Sequence, residues 1–206
     1  MSKNRRKIIT LIFVITFIIM SIGASFAFFT AISTSAVSSS TKVTSATTNT
    51  LTFAAGEPLL MHATQDNFGN GMASLKNTTY ATATLKKGSV DTALYKYNVS
   101  FVLEKNDFLY STPEKSPELL LNITDDKNIL IKEIPGLTFK TVNGMSGFDI
   151  TKMVGTFNIK TNYIITTDNL IVHKWIAEVI FVNKNENQDI NKGKKLNGYL
   201  RLELAE

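Results

Sequence analysis

The chain has 206 residues, 44% of them hydrophobic and 19% charged, and this composition excludes a chain that is disordered throughout. Its formal net charge is +5, but four of its 22 basic residues lie within residues 1–7, which leaves 18 basic residues against 17 acidic ones. A nucleic-acid-binding protein keeps a concentrated basic face to neutralise phosphates, so we predict no nucleic-acid partner. The chain has no cysteine, which excludes disulfide bonds and a lipid anchor on cysteine.

The first segment has the three parts of a secretory signal peptide. Residues 1–7 are basic, residues 8–20 are almost continuously apolar, and Ser25 and Ala27 form the small-x-small pattern that signal peptidases accept. We predict cleavage after Ala27, which makes Phe28 the first residue of an exported, secreted protein. The chain then divides into a signal peptide, a Ser/Thr-rich extended segment and a folded domain: residues 1–27, 28–50 and 51–206.

The same segment is also long enough to remain as a membrane anchor. The apolar stretch over residues 8–29 has about 22 residues, and about 20 are needed to span a bilayer. The glycine and the small residues that follow the apolar core favour cleavage. In either case the rest of the chain lies outside the cytoplasmic membrane, and this segment is its only predicted contact with the membrane.

Beyond the leader, the sequence predicts short strands separated by turns. Residues 30–50 are rich in serine, threonine and alanine, a composition that is typical of a linker and also allows a conditional strand. A first strand is predicted at residues 51–53, closed by Gly56 and Pro58. Alternation of apolar and polar residues predicts the later strands, which are 95–104, 119–123, 157–161, 170–183 and 196–204. This pattern predicts an all-β fold, an antiparallel β-sandwich of jelly-roll-like type.

The predicted strand 170–183 carries His173 and Trp175 on one face. Zinc sites need about three protein ligands, and the chain has only two histidines, His62 and His173. We therefore interpret His173 as a partly buried residue of the sandwich face. Residues 184–195 are apolar only at Ile190, which predicts a hairpin loop between the last two strands.

No catalytic, cofactor-binding or metal site is predicted, and no cofactor. Asn185, Asn187, Asp189 and Asn191 recur at every second residue like calcium ligands, but only one is a carboxylate and the bidentate glutamate is missing. A solvated hairpin is the preferred interpretation of this loop. Ser146 with its following glycine lacks the context of a nucleophile elbow and is interpreted as a glycine turn.

The residues around the predicted cleavage site resemble a known family. Residues 25–30 are Ser-Phe-Ala-Phe-Phe-Thr, and residues 47–53 are Thr-Thr-Asn-Thr-Leu-Thr-Phe. These motifs resemble the TasA and camelysin group of exported bacterial matrix proteins, whose leaders are processed by a SipW-type signal peptidase. The resemblance covers about the first quarter of the chain. It implies a secreted jelly-roll-like domain and assembly into extracellular fibres, in which the N-terminal segment pairs with the next subunit.

Our leading expectation is therefore a secreted, non-enzymatic structural or surface protein, such as a biofilm-matrix fibre subunit of a Gram-positive bacterium. Its expected partners are the SipW-type signal peptidase during export and then further copies of itself or another matrix component. The first alternative is an extracellular module that binds cell-wall glycan or a host surface. The second is a surface domain that an uncleaved leader anchors in the membrane.

Overall fold

The structure is a computed structural model that describes residues 49–64, 67, 73–88, 94–166 and 171–205. Ten β-strands form most of this part of the chain. In chain order they are β1 (Thr50–Ala55), β2 (Leu59–His62), β3 (Leu75–Lys86), β4 (Leu94–Asn106), β5 (Leu119–Thr124), β6 (Phe139–Val142), β7 (Met145–Asp149), β8 (Gly155–Thr166), β9 (Ile171–Phe181) and β10 (Lys195–Leu204). A short 3-10 helix (Asp189–Asn191) lies between β9 and β10. No helix among these residues has the length and apolar character that a membrane span requires.

The strands form two antiparallel sheets that pack against each other. The first sheet has the order β1-β3-β9-β5-β7-β6, and the second has the order β2-β10-β4-β8. Inward-facing side chains of both sheets share one hydrophobic core, in which Trp175 of β9 and Tyr97 and Phe101 of β4 are fully buried. The predicted all-β antiparallel sandwich is therefore confirmed.

The six predicted strands are present as β1, β4, β5, β8, β9 and β10. Four further strands, β2, β3, β6 and β7, were not predicted. The longest of them, β3, buries Thr79, Ala81 and Ala83 on its inner face. Small side chains of this kind fit against a neighbouring sheet but give little contrast with the polar residues that alternate with them.

The chain changes sheet between β1 and β2. β1 pairs with β3 in the first sheet, and β2 pairs with β10 in the second. At the crossing, Gly56 N donates to Tyr80 O at 2.8 Å, and Thr79 Oγ1 donates to Glu57 O at 2.7 Å. A Cβ on Gly56 would lie 2.7 Å from the Tyr80 ring, so a side chain at this corner requires the ring to move. Strands that switch sheets through such a bend close one side of a sandwich.

The segment that was predicted to be a glycine turn at Ser146 is instead strand β7. The turn lies just before it, at Asn143 and Gly144, whose φ angles are 47° and 76°. Two central residues with positive φ form the tight hairpin turn that matches the twist of antiparallel strands. The prediction was wrong because the Asn-Gly pair, and not Ser146 with its glycine, carries the turn signal.

The predicted hairpin loop between the last two strands is also wrong. β9 belongs to the first sheet and β10 to the second, so residues 182–194 cross from one sheet to the other. This crossing is not solvated throughout, because Lys184, Gln188 and Asn191 are buried. Composition alone predicted an exposed loop, since the polar partners of these residues lie far away in the sequence.

The predicted cleavage site at Ser25, Ala27 and Phe28 lies outside the described residues, as does the extended segment 28–50 except for its last two residues. Of those two, Asn49 is tied to the domain. Gly88 N donates to Asn49 Oδ1 at 2.7 Å, and Tyr95 Oη donates to Asn49 O at 3.3 Å. The described chain thus begins against β4, at the start of that strand.

Candidate functional site

The second sheet ends in a long strand that is paired on one side. β8 pairs with β4 from Leu94 to Leu103, and no other described strand pairs with β8. Its other side presents the backbone N–H and C=O groups of a 12-residue strand. Such an edge can receive an added strand, because the unpaired main-chain groups supply hydrogen-bonding partners.

A bulge restricts this edge near its middle. Asn162 has a φ of 53°, and the register between β8 and β4 shifts on both sides of Val99. Asn98 Oδ1 accepts a hydrogen bond from Asn162 N at 3.0 Å, which stabilises the bulged backbone. Bulges and edge lysines discourage indiscriminate strand pairing, and Lys160 is an exposed lysine of this edge. Both features therefore limit the pairing that this edge offers to other strands.

A groove of about 750 Å³ lies beside the bulged part of β8. Its walls are β8 and the connection between β5 and β6, and its lining residues are Lys132, Glu133, Ile134, Pro135, Leu137, Asn158, Ile159, Lys160 and Thr161. Pro135 and Leu137 supply accessible apolar surface to the groove, Ile134 and Ile159 are almost fully buried, and the charged side chains are exposed. A groove of mixed polar and apolar lining, next to a strand edge that no described strand pairs with, suits an extended peptide, since alternate side chains of an added strand can enter it.

A series of polar groups crosses the core between the two sheets near the beginning of β9. Trp175 Nε1 donates to Tyr97 Oη at 3.1 Å, and Tyr97 Oη lies 2.8 Å from His173 Nδ1. Because Trp175 donates to the phenol oxygen, we assign the Tyr97 hydroxyl as the donor to Nδ1 and place the imidazole proton on Nε2. That nitrogen lies 3.6 Å from Asp126 Oδ2, and Tyr163 Oη donates to Asp126 Oδ1 at 2.5 Å.

Burial is the largest cause of the pKa shifts of His173, Tyr97 and Tyr163. It is the main cause that lowers the pKa of His173, against the opposing effect of the Asp126 carboxylate. Burial also raises the pKa of Tyr97 and of Tyr163. Carboxylate, imidazole and hydroxyl groups in series can activate a nucleophile. Tyr97 is fully buried, however, so its oxygen is closed to a substrate and the series acts as a hydrogen-bonded bridge between the sheets.

A second buried cluster lies beyond the other end of β9, around Glu118. The Glu118 side chain is fully buried, and that of Lys184 is 4% exposed. Glu118 Oε1 accepts hydrogen bonds from Lys184 Nζ at 2.5 Å and from Ser111 N and Oγ at 2.8 and 2.6 Å, and Oε2 accepts one from Gln188 Nε2. A buried carboxylate is tolerated only with such compensation.

The loops around Glu118 are joined by further polar contacts. Thr151 Oγ1 accepts hydrogen bonds from Glu118 N at 2.9 Å and from Leu119 N at 3.1 Å. Asn191 bonds to both the N–H and the C=O of Leu109, at 2.8 and 2.9 Å. The connections β4–β5, β7–β8 and β9–β10 therefore meet here, and side chains satisfy backbone groups that have no partner in a sheet.

The residues that were considered as calcium ligands do not converge on one point. Asn187 Oδ1 accepts a hydrogen bond from Asp189 N at 3.0 Å, and Asn191 is turned inward to Leu109. Asn185 has a φ of 56° and lies in the turn after Lys184. Among the residues that the structure describes, no group of three or more His, Cys, Asp and Glu residues could hold a metal ion.

The sequence indicated only part of these clusters. It placed His173 beside Trp175 on the inner face of a strand, and this is confirmed. It missed Asp126, Glu118, Lys184 and Gln188. One signal was available for Glu118, which directly precedes a strand that begins with three buried leucines. A charged residue at such a position requires a buried partner.

Comparisons with protein-family models, with curated proteins and with solved structures give no match for this chain. Its function is therefore argued from the β8 edge, the groove beside it and the two buried clusters.

Proposed function

We propose that this chain is an exported, non-enzymatic structural subunit of a bacterial surface or matrix that assembles by strand addition to the edge of β8 that no described strand occupies. The donor is the segment 28–48 of a neighbouring copy, which a SipW-type signal peptidase would release at Phe28. The observation that carries this proposal is a 12-residue strand edge, unpaired by any described strand, with a groove of about 750 Å³ beside it.

The donor segment has the composition that an added strand needs. Residues 30–48 are mainly serine, threonine and alanine, with Ile32, Val37 and Val43 as their larger apolar residues. Threonine and β-branched residues favour extended backbone, and small side chains lower the steric cost of entering a narrow groove. At about 3.3 Å per residue, roughly 12 residues would cover the whole of β8. Main-chain hydrogen bonds then supply affinity, and the groove selects the side chains.

One observation favours a second candidate, an extracellular module that binds cell-wall glycan or a host surface. Tyr80 is 44% exposed on the outer face of the first sheet, and Lys174 Nζ lies 4.9 Å from the centre of its ring. Exposed aromatic rings beside a cation are frequent in binding surfaces. An uncleaved leader would display the same domain as a membrane-anchored surface protein.

The proposal is tested by comparing the secreted chain with a variant that lacks residues 28–48. We expect the complete mature chain to form oligomers or fibres in size-exclusion chromatography and electron microscopy, and the shortened variant to remain monomeric and folded. A double variant, Asn158→Lys with Thr161→Lys, places two more charges at the groove and should also block assembly.

Thr78→Lys is the matched control for the groove variant, because Thr78 is exposed on β3 in the other sheet. It should assemble like the unmodified chain. Assembly that survives removal of residues 28–48 would disprove strand donation by that segment. The mature chain could instead stay monomeric, with the backbone of β8 protected from hydrogen exchange only when residues 28–48 are present. That result would mean that the segment pairs with β8 of the same chain.

A further inference from the structure

Glu118 holds an amine and an amide on one carboxylate. Lys184 Nζ donates to its Oε1 at 2.5 Å, and Gln188 Nε2 donates to its Oε2. Gln188 is 2% exposed, so both groups meet in a site with almost no access for solvent. We propose that Lys184 Nζ and Gln188 Cδ form an intramolecular isopeptide bond with release of ammonia, with Glu118 as the acid–base group. This modification is independent of strand addition at β8.

Lys184 is placed as the nucleophile of this reaction. An amine attacks a carbonyl only in its neutral form. The Lys184 and Glu118 side chains are 4% and 0% exposed, and in such a dry setting an ion pair is costly to maintain. Transfer of one proton from Lys184 Nζ to the Glu118 carboxylate gives a neutral amine and a neutral carboxylic acid.

The Gln188 amide is held in the way that an acyl donor requires. Its Oε1 accepts a hydrogen bond from Lys184 N at 2.9 Å, so a backbone N–H lies where negative charge develops during attack. Its Nε2 also donates to Val182 O at 2.9 Å, which fixes the plane of the amide. Asn185 has a φ of 56°, and this left-handed residue reverses the chain directly after Lys184.

The reaction balances without an oxidant, a reductant or a co-reactant. The lone pair of Lys184 Nζ forms the new bond to Gln188 Cδ, and the electron pair of the Gln188 carbonyl moves to Gln188 Oε1. The Glu118 carboxylic acid then gives its proton through Oε2, which faces Gln188 Nε2, to that nitrogen. The bond between Cδ and Nε2 breaks, and the carbonyl re-forms. Ammonia leaves and takes the surplus proton from Nζ. The products are a secondary amide, an ammonium ion and the Glu118 carboxylate.

Peptide mass spectrometry tests this inference on the folded full-length protein after prolonged incubation, with digestion by trypsin after denaturation. We expect peptide 175–192 to be uncleaved after Lys184 and lighter by one ammonia, with fragment ions that place the loss between Lys184 and Gln188. Acylation of Nζ removes the charge that trypsin recognises. An asparagine that loses ammonia to a succinimide would leave this cleavage intact.

Glu118→Gln should restore both the full mass and cleavage after Lys184, because the amide cannot exchange the proton. Lys184→Arg keeps a cation and lacks the amine, so it should also give the full mass if the Glu118 variant fails to fold. Lys192→Arg, at an exposed lysine of the same loop, should retain the bond. Full mass and complete cleavage in the unmodified chain would overturn the proposal. A cross-linked pair of peptides 116–127 and 175–192 that is lighter than their sum by one water would overturn it too, by assigning the bond to Glu118.

Discussion

Strand β9 leads to two buried polar clusters that solve the same physical problem in different ways. Near its beginning, His173 takes part in a largely neutral series that joins the two sheets through Tyr97. Beyond its other end, Lys184 forms an ion pair with Glu118 among three loops. His173 and Phe181 are eight residues apart, which corresponds to about 26 Å along a strand. The two clusters thus belong to opposite ends of one element.

The difference follows from where the partners come from. In the first cluster, Tyr97, His173 and Trp175 lie on strands, whose alternation aims them into the core and whose backbone groups are satisfied by the sheets. In the second cluster, the irregular segments have backbone N–H groups without a partner in a sheet. The Glu118 carboxylate accepts a hydrogen bond from one of them, Ser111 N. The cost of burying the Glu118 carboxylate is therefore offset among the loops, where it accepts several donors at once.

The largest expected effect is the loss of the Glu118 carboxylate. Glu118→Ala leaves Lys184, Gln188 and Ser111 without their common acceptor, and we expect it to lower the free energy of unfolding by about 3–5 kcal/mol. Lys184→Met should cost less, about 1–3 kcal/mol, because the carboxylate keeps its hydrogen bonds from Ser111 and Gln188. Urea unfolding measures both values.

Glu186→Ala is the control for this pair, since Glu186 is an exposed acid of the same loop and should change stability by less than about 0.5 kcal/mol. Equal losses for Glu118→Ala and Lys184→Met would contradict the comparison. They would mean that the ion pair, and not the convergence of several donors on one carboxylate, dominates this end of the sandwich.

The same distinction between strand residues and loop residues explains which parts of the two clusters the sequence could predict. His173 and Trp175 lie two residues apart on a strand, and the period of two is a local pattern, so their common inward face was predictable. Lys184 and Gln188 lie in a loop whose composition is that of a solvated hairpin. Their burial depends on Glu118, which is 66 residues away from Lys184. No local sequence pattern relates two residues that lie so far apart in the chain.

The fold class was predictable for the same reason, and the strand order was not. Alternation identified the strands that have large apolar residues on one face, such as β4 and β10. It missed the short β6–β7 hairpin and β3, whose inner face between Leu75 and Leu85 is built mainly from threonine and alanine. Pairing of β9 with β3 and β5 is a long-range property of the core, so the sheet order required the structure.

An intermediate effect is expected from breaking the neutral bridge. Tyr97→Phe removes the oxygen that accepts from Trp175 Nε1 and donates to His173 Nδ1, which leaves two buried polar groups without this partner. We expect a loss of about 1–3 kcal/mol in the free energy of unfolding. Tyr80→Phe is the control, because Tyr80 is exposed and should tolerate the change within about 0.5 kcal/mol. If both variants lose the same stability, the bridge contributes nothing specific.

The smallest effect is a pH dependence that belongs to the bridge alone. Burial lowers the pKa of His173 in the folded state, against the attraction of Asp126 and with a further lowering by Lys127. The unfolded chain then binds more protons than the folded chain below about pH 6.5, so the free energy of unfolding should fall as the pH decreases from there through the folded pKa. His173→Asn keeps an acceptor for Tyr97 and should remove this slope. His62→Asn, at an exposed histidine, should retain it. Urea midpoints measured between about pH 5 and 7.5 compare the variants, and a slope that persists in His173→Asn would assign the pH dependence to groups outside the bridge.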